Sequence, residues 1–314
     1  MKNNFWGKLN KPILALAPMA GITDSAFRQV CIKNGADVVY SEMASVSALF
    51  FNPQKTLDLI KFKKAERPYV VQLFGNNAEH FGVATKIITE KVKSDGIDIN
   101  FGCPARKVYS IGSGAALMSD FKKSREVIKA VLSNTDLPVS IKIRSKVGKK
   151  TGVAFVKYIK DLDIKVIMVH GRTYEQGFVG EIDFKAIKKI KEIFPGIVLG
   201  NGGINTPEDA KKMIEKTGVQ GIGLARGIQG KPWLFNQVKD YLKKGKFKER
   251  KQEQIFKIAL QHSKLAEKEK GEFGIIEMRK HLCWYVRNMP EASKLRQKLI
   301  RVKSYKDIAK ILKM

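Results

Sequence analysis

The sequence alternates short apolar runs with amphipathic stretches from Lys11 to about Arg226, and this repeat limits the possible folds more than any other feature. Each apolar run predicts a buried strand, and each amphipathic stretch predicts a helix that covers the sheet. The predicted strands are Ile13–Leu16, Val38–Tyr40, Tyr69–Leu73, Ile97–Ile99, Val139–Ile143, Val166–Val169, Ile197–Leu199 and Ile222–Leu224. Eight βα units of this size predict an α/β fold of the (β/α)8 TIM-barrel type. An open doubly wound sheet is the alternative, but the glycine fingerprint expected after its first strand is missing.

Polar residues and glycines follow nearly every predicted strand at the point where it ends. In a barrel these points meet at the carboxyl-terminal mouth, where barrel enzymes hold their active sites. In chain order the residues are Ala17, Pro18, Met19, Gln72, Asn100, Cys103, Lys142, His170, Arg172, Asn201, Gly202, Gly203, Ala225 and Arg226. Their shared position in successive repeats predicts one functional site.

Cys103 lies where the fourth strand runs into a loop, in the segment GIDINFGCPARKV (96–108). Gly102 lets the backbone approach another molecule closely, and Pro104 fixes the φ angle directly after the thiol. The segment also contains one amide and two cations: Asn100, Arg106 and Lys107. A cysteine at a strand end is often a packing residue, but these neighbours favour a chemical role, such as that of a nucleophile.

Glycines at the seventh and eighth strands predict a phosphate site. Barrels commonly bind phosphate there, on backbone N–H groups. The residues concerned are Asn201, Gly202 and Gly203 in one segment and Gly221 to Gly227 in the other. Arg226 can add a bidentate hydrogen bond. Lys142, at another strand end, can stabilise negative charge on a reduced isoalloxazine ring, which favours flavin mononucleotide over a simple sugar phosphate.

The charge balance suggests a polyanionic partner. The 314 residues contain 59 Lys and Arg against 30 Asp and Glu, a net charge of +29, which sets up a long-range field that attracts nucleic acid. A generally lysine-rich composition is the alternative explanation. Residues 241–314 hold 21 Lys and Arg and 8 Asp and Glu, so the charge per residue is highest at the carboxyl end.

The strand signals fade after residue 240, and lysine-rich helical patterns replace them. We therefore expect two domains: a TIM barrel at 1–240 and a small all-helical, basic, RNA-binding domain at 241–314. One face of the stretch 274–289 should pack through Ile275, Leu282, Tyr285, Val286 and Met289, while Lys280, Trp284 and Arg287 share another face. Arg279, Lys280 and Arg287 are the expected RNA contacts, and Trp284 is expected to be a core residue.

Several motifs together resemble the tRNA-dihydrouridine synthases. They are APMAGITDSAFR (17–28), VQLFGNN (71–77), GIDINFGCPARKV (96–108), GSGAALM (112–118), IKIR (141–144), VHGRT (169–173), GNGGI (200–204), ARG (225–227) and MRKHLCWYV (278–286). Their order runs through nearly the whole chain. The last motif is most similar to the bacterial DusB branch.

This resemblance implies an FMN enzyme that takes hydride from NADPH, or NADH, and reduces the C5–C6 double bond of uridine in the tRNA D-loop. It implies hydride transfer from flavin N5 to C6 and makes Cys103 the general acid for C5. The implied flavin ligands are Ala17, Pro18, Met19, Gln72, Lys142, His170, Asn201, Gly202, Gly203, Ala225 and Arg226. The implied contacts to uridine or RNA in the barrel are Asn100, Arg106, Lys107, Arg144 and Arg172.

Two other functions fit parts of the sequence. A small-molecule flavin oxidoreductase of the dihydroorotate dehydrogenase or ene-reductase kind would share the flavin site but has no use for the basic carboxyl end. A non-catalytic RNA-binding protein would bind neither FMN nor NADPH.

The remaining expectations concern metal, location and assembly. Three separated cysteines and four histidines show no zinc-binding spacing, so no metal site is expected. The amino-terminal residues lack a signal peptide's apolar stretch, and no window is apolar enough to span a membrane. We expect a cytoplasmic monomer with no membrane contact.

Overall fold

The computed structural model describes residues 4–312 and builds a barrel from eight parallel strands, while two further strands of two residues each, Ala44–Ser45 and Lys150–Thr151, join the same sheet. The strands are β1 (Ile13–Leu16), β2 (Val38–Tyr40), β3 (Tyr69–Phe74), β4 (Gly96–Phe101), β5 (Val139–Val147), β6 (Val166–Thr173), β7 (Ile197–Asn201) and β8 (Gly221–Leu224). Their order around the sheet is β2-β1-β8-β7-β6-β5-β4-β3, and pairing of β2 with β3 closes the ring. The predicted (β/α)8 barrel is confirmed, and all eight predicted strands are present.

Helices alternate with these strands. Those of the barrel are α1 (Ser25–Lys33), α2 (Val46–Phe51), α3 (Gln54–Leu59), α4 (Ala78–Ile87), α5 (Arg106–Tyr109), α6 (Ala115–Ser119), α7 (Phe121–Leu132), α8 (Gly152–Ile159), α9 (Phe184–Ile193), α10 (Pro207–Thr217) and α11 (Leu234–Lys244). Their apolar faces pack on the outer side of the strands in one large buried cluster. Burial of this apolar surface is the main free-energy gain of the fold.

The interior of the barrel holds its own, smaller apolar cluster. Alternate strand residues point inward, and Ile13, Ala15 and Met168 are among those that pack there. Trp6, on the short 3-10 helix Phe5–Lys8, is fully buried against this cluster. The apolar interior leaves the opposite, carboxyl-terminal end of the strands for polar groups.

Three helices follow the barrel: α12 (Gln252–Tyr285), α13 (Ala292–Leu299) and α14 (Tyr305–Leu312). Helix α12 is interrupted at Gly271, where φ is 59° and ψ is −140°. The predicted packing face is confirmed: Ile275, Leu282, Tyr285, Val286 and Met289 all belong to, or pack against, a cluster shared by these helices. Helix α11 spans the predicted boundary at residue 240 and packs on the barrel core, and the division into two domains stays a prediction.

The helical region is joined to the barrel by both apolar and charged contacts. Its cluster includes Ala26 of α1 and Trp233, which precedes α11. Lys270 forms an ion pair with Asp24 at 2.9 Å. Within residues 4–312, no helix combines the length and the apolar character needed to cross a membrane.

Candidate active site at the barrel mouth

A cavity of about 890 Å³ opens at the carboxyl-terminal ends of the strands. It brings together most of the residues that the sequence predicts for the site: Pro18, Met19, Gln72, Asn100, Cys103, Lys142, Arg144, His170, Arg172, Asn201, Gly202, Gly203, Ala225, Arg226 and Arg287. They come from seven strand exits and, for Arg287, from the turn that follows α12. The volume is in the range of small-molecule and cofactor pockets.

Five predicted residues do not line the cavity: Ala17, Arg106, Lys107, Arg279 and Lys280. Ala17 is fully buried, and its N–H donates to Leu224 O at 2.8 Å. Arg106 and Lys107 are exposed on α5, in the loop that carries the thiol.

The two predicted RNA contacts on α12 have partners within the chain. Arg279 donates two hydrogen bonds to Val302 O, at 3.1 and 2.8 Å, and so ties α12 to the segment before α14. Lys280 Nζ donates to Gly21 O, in the loop after β1. Contact with RNA by either side chain stays a prediction.

The thiol loop is held from both sides. Asn100 Oδ1 accepts the N–H groups of Gly102 and Cys103, at 3.0 and 2.9 Å. On the other side, Ala115 N donates to Cys103 O at 3.2 Å. Gly114 has a φ of +61°, and a Cβ there would lie 3.0 Å from Cys103 Cβ. The glycine of the GSGAALM motif therefore allows the backbone to pack against the half-buried cysteine.

The cavity is strongly electropositive. Four of its cations are Lys142, Arg144, Arg172 and Arg226, and no Asp or Glu of the described chain lines it. Burial, together with Arg144, lowers the pKa of Lys142 to about 8, and burial lowers the pKa of Arg144 to about 10. Burial and then the neighbouring cations lower the pKa of His170 to about 2, so its imidazole is neutral at pH 7. Such a cavity favours an anionic ligand.

Glycines of β7 and the following loop shape one wall. Gly202 and Gly203 have φ angles of +102° and +69°, which side chains other than glycine rarely adopt. A Cβ on Gly202 would lie 2.6 Å from His170 Cδ2. This glycine backbone and Arg226 line the same cavity, and the combination fits a phosphate group, which backbone N–H groups and an arginine bind together.

The loop after β6 also forms part of the site, which the sequence did not predict. Phe178 lines the cavity, with Arg226 Cζ 4.6 Å from the centre of its ring. Three cavity arginines donate to carbonyls of this loop: Arg144 to Gly177 at 2.9 Å, Arg172 to Gly180 at 2.9 Å and Arg226 to Phe178 at 2.7 Å. The two glycines in the segment YEQGFVG were the only local signal for this turn.

The chain is similar to known proteins along most of its length. A family model described as dihydrouridine synthase matches residues 15–313. A protein named tRNA-dihydrouridine synthase B from Pseudomonas putida is 35% identical over 288 residues, which cover 90% of this chain and 85% of the relative. The protein of the same name from Vibrio parahaemolyticus is 33% identical over 288 residues, covering 90% and 89%.

Two solved structures share the fold at low identity. They are 6-hydroxypseudooxynicotine amine oxidase from Pseudomonas geniculata (TM-score 0.55, 13% identity, 73% of this chain and 47% of that one) and histamine dehydrogenase from a Rhizobium species (TM-score 0.51, 13% identity, 80% and 45%). This chain spans less than half the length of either structure. The family model, in contrast, covers nearly the whole chain, from the second half of β1 through all the other strands of the barrel. The chain belongs to the dihydrouridine synthase family.

Proposed function

We propose that the chain reduces uridine in the D-loop of tRNA to 5,6-dihydrouridine, with FMN as its cofactor and NADPH as the reductant. The observation that carries this proposal is the cavity itself, where a cysteine loop faces a glycine-lined, cationic wall. Family membership and relatives named tRNA-dihydrouridine synthase B support it. That similarity supports reduction of uridine in tRNA.

The residues present fit a flavin phosphate and ring. Gly202, Gly203 and Arg226 would bind the phosphate, because glycine backbone and a guanidinium line the same cavity. Lys142 would offer positive charge to the ring, with Gln72, His170 and Asn201 as neighbouring polar contacts. A bound flavin supplies hydride chemistry. Neutral His170 can accept or donate one hydrogen bond without adding charge.

Cys103 would supply the proton for C5 of the uracil. Its side chain lines the cavity, and Asn100 holds the backbone N–H groups of its loop. A positioned acid is worth about 10² to 10⁴ in rate. Asn100 would also contact the uracil through its amide group, next to the thiol that it positions.

RNA binding would use the cations around the mouth. A stacked uridine cannot reach the cavity, so the nucleotide must leave the RNA stack, at a cost of a few kcal/mol. Phosphate contacts by Arg106, Lys107 and the basic helices would offset that cost. Arg287 supports this arrangement, since it is an exposed residue of the helical region that also lines the cavity.

The substitution Cys103→Ala tests the function. We expect it to keep flavin absorbance and flavin reduction by NADPH but to lower dihydrouridine formation on tRNA by about 10²-fold or more. Cys283→Ala, which removes a half-buried thiol on α12 outside the cavity, is the matched control and should keep full activity. Dihydrouridine is measured by mass spectrometry of digested tRNA. Unchanged product from Cys103→Ala would remove this cysteine from the mechanism.

A further inference from the structure

A row of polar side chains crosses the barrel interior below the thiol loop. Strand register places Gln72 of β3, Asp98 of β4 and Ser140 of β5 side by side. Asn100 lies two residues beyond Asp98 on β4 and therefore faces the same way. Asp98 is fully buried and does not line the cavity. It is a carboxylate that the proposed chemistry does not use.

Hydrogen bonds connect this carboxylate to the thiol loop. Gln72 Nε2 donates to Asp98 Oδ2 at 2.7 Å, and Asn100 Nδ2 donates to Gln72 Oε1 at 2.9 Å. Asn100 Oδ1 then accepts the N–H groups of Gly102 and Cys103. The chain thus runs from Asp98 through two amides to the backbone of Cys103.

The carboxylate of Asp98 and the backbone N–H groups of the thiol loop, at the two ends of this chain, determine the direction of every hydrogen bond between them. An ionised carboxylate only accepts hydrogen bonds, and a backbone N–H only donates them. Gln72 must therefore turn its NH₂ group toward Asp98, which leaves its oxygen for Asn100. Asn100 must then turn its own oxygen toward the loop. Reversing either amide would place two donors or two acceptors against each other in a buried site, which is costly.

Stability alone does not account for a carboxylate at this position. Burial raises the pKa of Asp98 to about 6, although hydrogen bonds from Gln72 and Ser140 lower it. Burying a carboxylate that has no ion-pair partner costs free energy, whereas burying an apolar residue at the same position would not. Asp98 has no ion pair within 4.0 Å among residues 4–312, and its two side-chain partners are neutral. Lys142 is the charged group that acts on it from β5, and Tyr40 on β2 faces it as well.

We propose that Asp98 is a positioning residue that sets the orientation of the Gln72 and Asn100 amides and, through them, the place of the Cys103 loop. This inference rests on the proposed function, in which Cys103 donates the proton. Asp98 touches neither the cavity nor the thiol, so its effect passes through the hydrogen-bond chain. Without it, Gln72 can rotate and Asn100 loses the partner that holds its amide.

The test compares two substitutions of the same residue. Asp98→Leu removes the acceptor and keeps the same branched arrangement of side-chain heavy atoms. Asp98→Asn keeps it, because the amide oxygen can accept from Gln72 while the NH₂ group donates to Ser140 Oγ. Ser140→Ala is the matched control, since Ser140 is equally buried and bonds to Asp98 at 2.6 Å but lies outside the chain to Cys103. Folding of each variant is checked by circular dichroism.

The first measurement does not depend on catalysis. The purified proteins are treated with iodoacetamide, and alkylation of Cys103 is followed by peptide mass spectrometry, with Cys283 as the internal reference. We expect Asp98→Leu to speed alkylation of Cys103 severalfold, because the loop is released, and Asp98→Asn and Ser140→Ala to leave the rate unchanged. Gln72→Met breaks the same hydrogen-bond chain, so it should speed alkylation of Cys103 as Asp98→Leu does. If Asp98→Leu does not fold, Gln72→Met takes its place in the test.

The second measurement is dihydrouridine formation on tRNA. A misplaced acid can cost up to about a hundredfold in rate, so we expect kcat to fall by at least tenfold in Asp98→Leu while KM for tRNA stays the same. Asp98→Asn should stay within threefold of the parent enzyme. Equal alkylation rates in the parent and Asp98→Leu, or an equal loss of kcat in Asp98→Asn and Asp98→Leu, would overturn the proposal. Parent enzyme that forms no dihydrouridine would reject the proposed function instead, and alkylation alone would then decide the positioning role.

Discussion

The buried ion pair between Arg28 and Glu66 offers a quantitative test of what holds the cavity wall. Arg28 Nε donates to Glu66 Oε2 at 2.6 Å, and both side chains are fully buried. Arg28 also donates to Thr23 O at 2.7 Å, in the loop after β1. The pair therefore anchors the APMAGITD segment, whose residues Pro18 and Met19 line the cavity.

The substitution Glu66→Gln changes one contact and leaves the others. Glu66 Oε1 accepts from Ser25 Oγ at 2.6 Å and from Lys63 N at 2.8 Å, and a glutamine oxygen can keep both bonds. The glutamine NH₂ group then faces the Arg28 N–H, donor against donor, and leaves a buried guanidinium charge without its counter-charge. Removing one partner of a buried pair costs about 3–5 kcal/mol. We expect the free energy of unfolding to fall by that amount, a large share of the total of about 5–15 kcal/mol.

The assay is urea unfolding followed by circular dichroism, with Asp161→Asn as the matched control. Asp161 is also paired with an arginine and accepts two hydrogen bonds from Arg125, but its side chain is 59% exposed. Solvent screens such a pair, so Asp161→Asn should lose only a small fraction of what Glu66→Gln loses. Equal losses in the two variants would refute the argument that burial sets the cost.

Three further predictions concern the helical region, pH and salt. Gly230→Ala should weaken the docking of α12, because φ is +74° and the new Cβ would lie 2.4 Å from Trp284 O. Gly245→Ala is the control: φ is +69° and nothing lies within 4 Å of the new Cβ, so it should cost only backbone strain. Equal decreases in the thermal unfolding temperature of the two variants would contradict the steric argument. Burial keeps the pKa of three histidines below the ordinary value: His170, His262 and His281. Below pH 6.5 the unfolded chain binds protons that the folded chain does not, so the unfolding free energy should decrease as the pH falls, by about 2 kcal/mol at pH 5 for each of His170 and His262, with His281 acting in the same direction; urea midpoints at pH 7 and pH 5 that coincide would contradict this. Arg287→Ala should reduce the slope of log K for tRNA binding against log salt by about 0.9 if the side chain contacts one phosphate, and an unchanged slope would exclude that contact.

The sequence was sufficient to predict where a helix begins and ends when the residues at its own ends determine those positions. Helix α10 is one case: the run Thr206-Pro207-Glu208-Asp209 predicts an N-cap, a proline at the first position and an acidic first turn, and the structure has all three, with Asp209 also completing a capping box. The amphipathic stretches Ser25–Lys33 and Phe184–Ile193 likewise predict helices, and α1 and α9 begin and end at these residues. The strands were predicted too short at their carboxyl ends, notably β5 and β6, because polar residues there are paired in the sheet although they face the cavity.

Arg279 and Lys280, two cations of α12, show what could not be predicted from the sequence. A basic helical surface predicts RNA contact, but Arg279 bonds to Val302 O and Lys280 to Gly21 O. Those partners are 23 and 259 residues away along the chain. No local pattern distinguishes a lysine that meets solvent from one that meets a distant carbonyl, since the difference depends on how the helix docks.

The amino-acid sequence alone was enough for the barrel, the convergence of strand exits and the family resemblance, because each depends on periodicity or on short motifs. The tertiary structure decided which of these residues share one cavity, that Arg287 reaches it from the helical region, and that the loop of Phe178 forms part of its wall. It also decided that Asp98 is connected to Cys103 through two amides. The physical reason is that hydrogen-bond direction, burial and charge at the site depend on neighbours from different strands, and the packed barrel is what makes them neighbours.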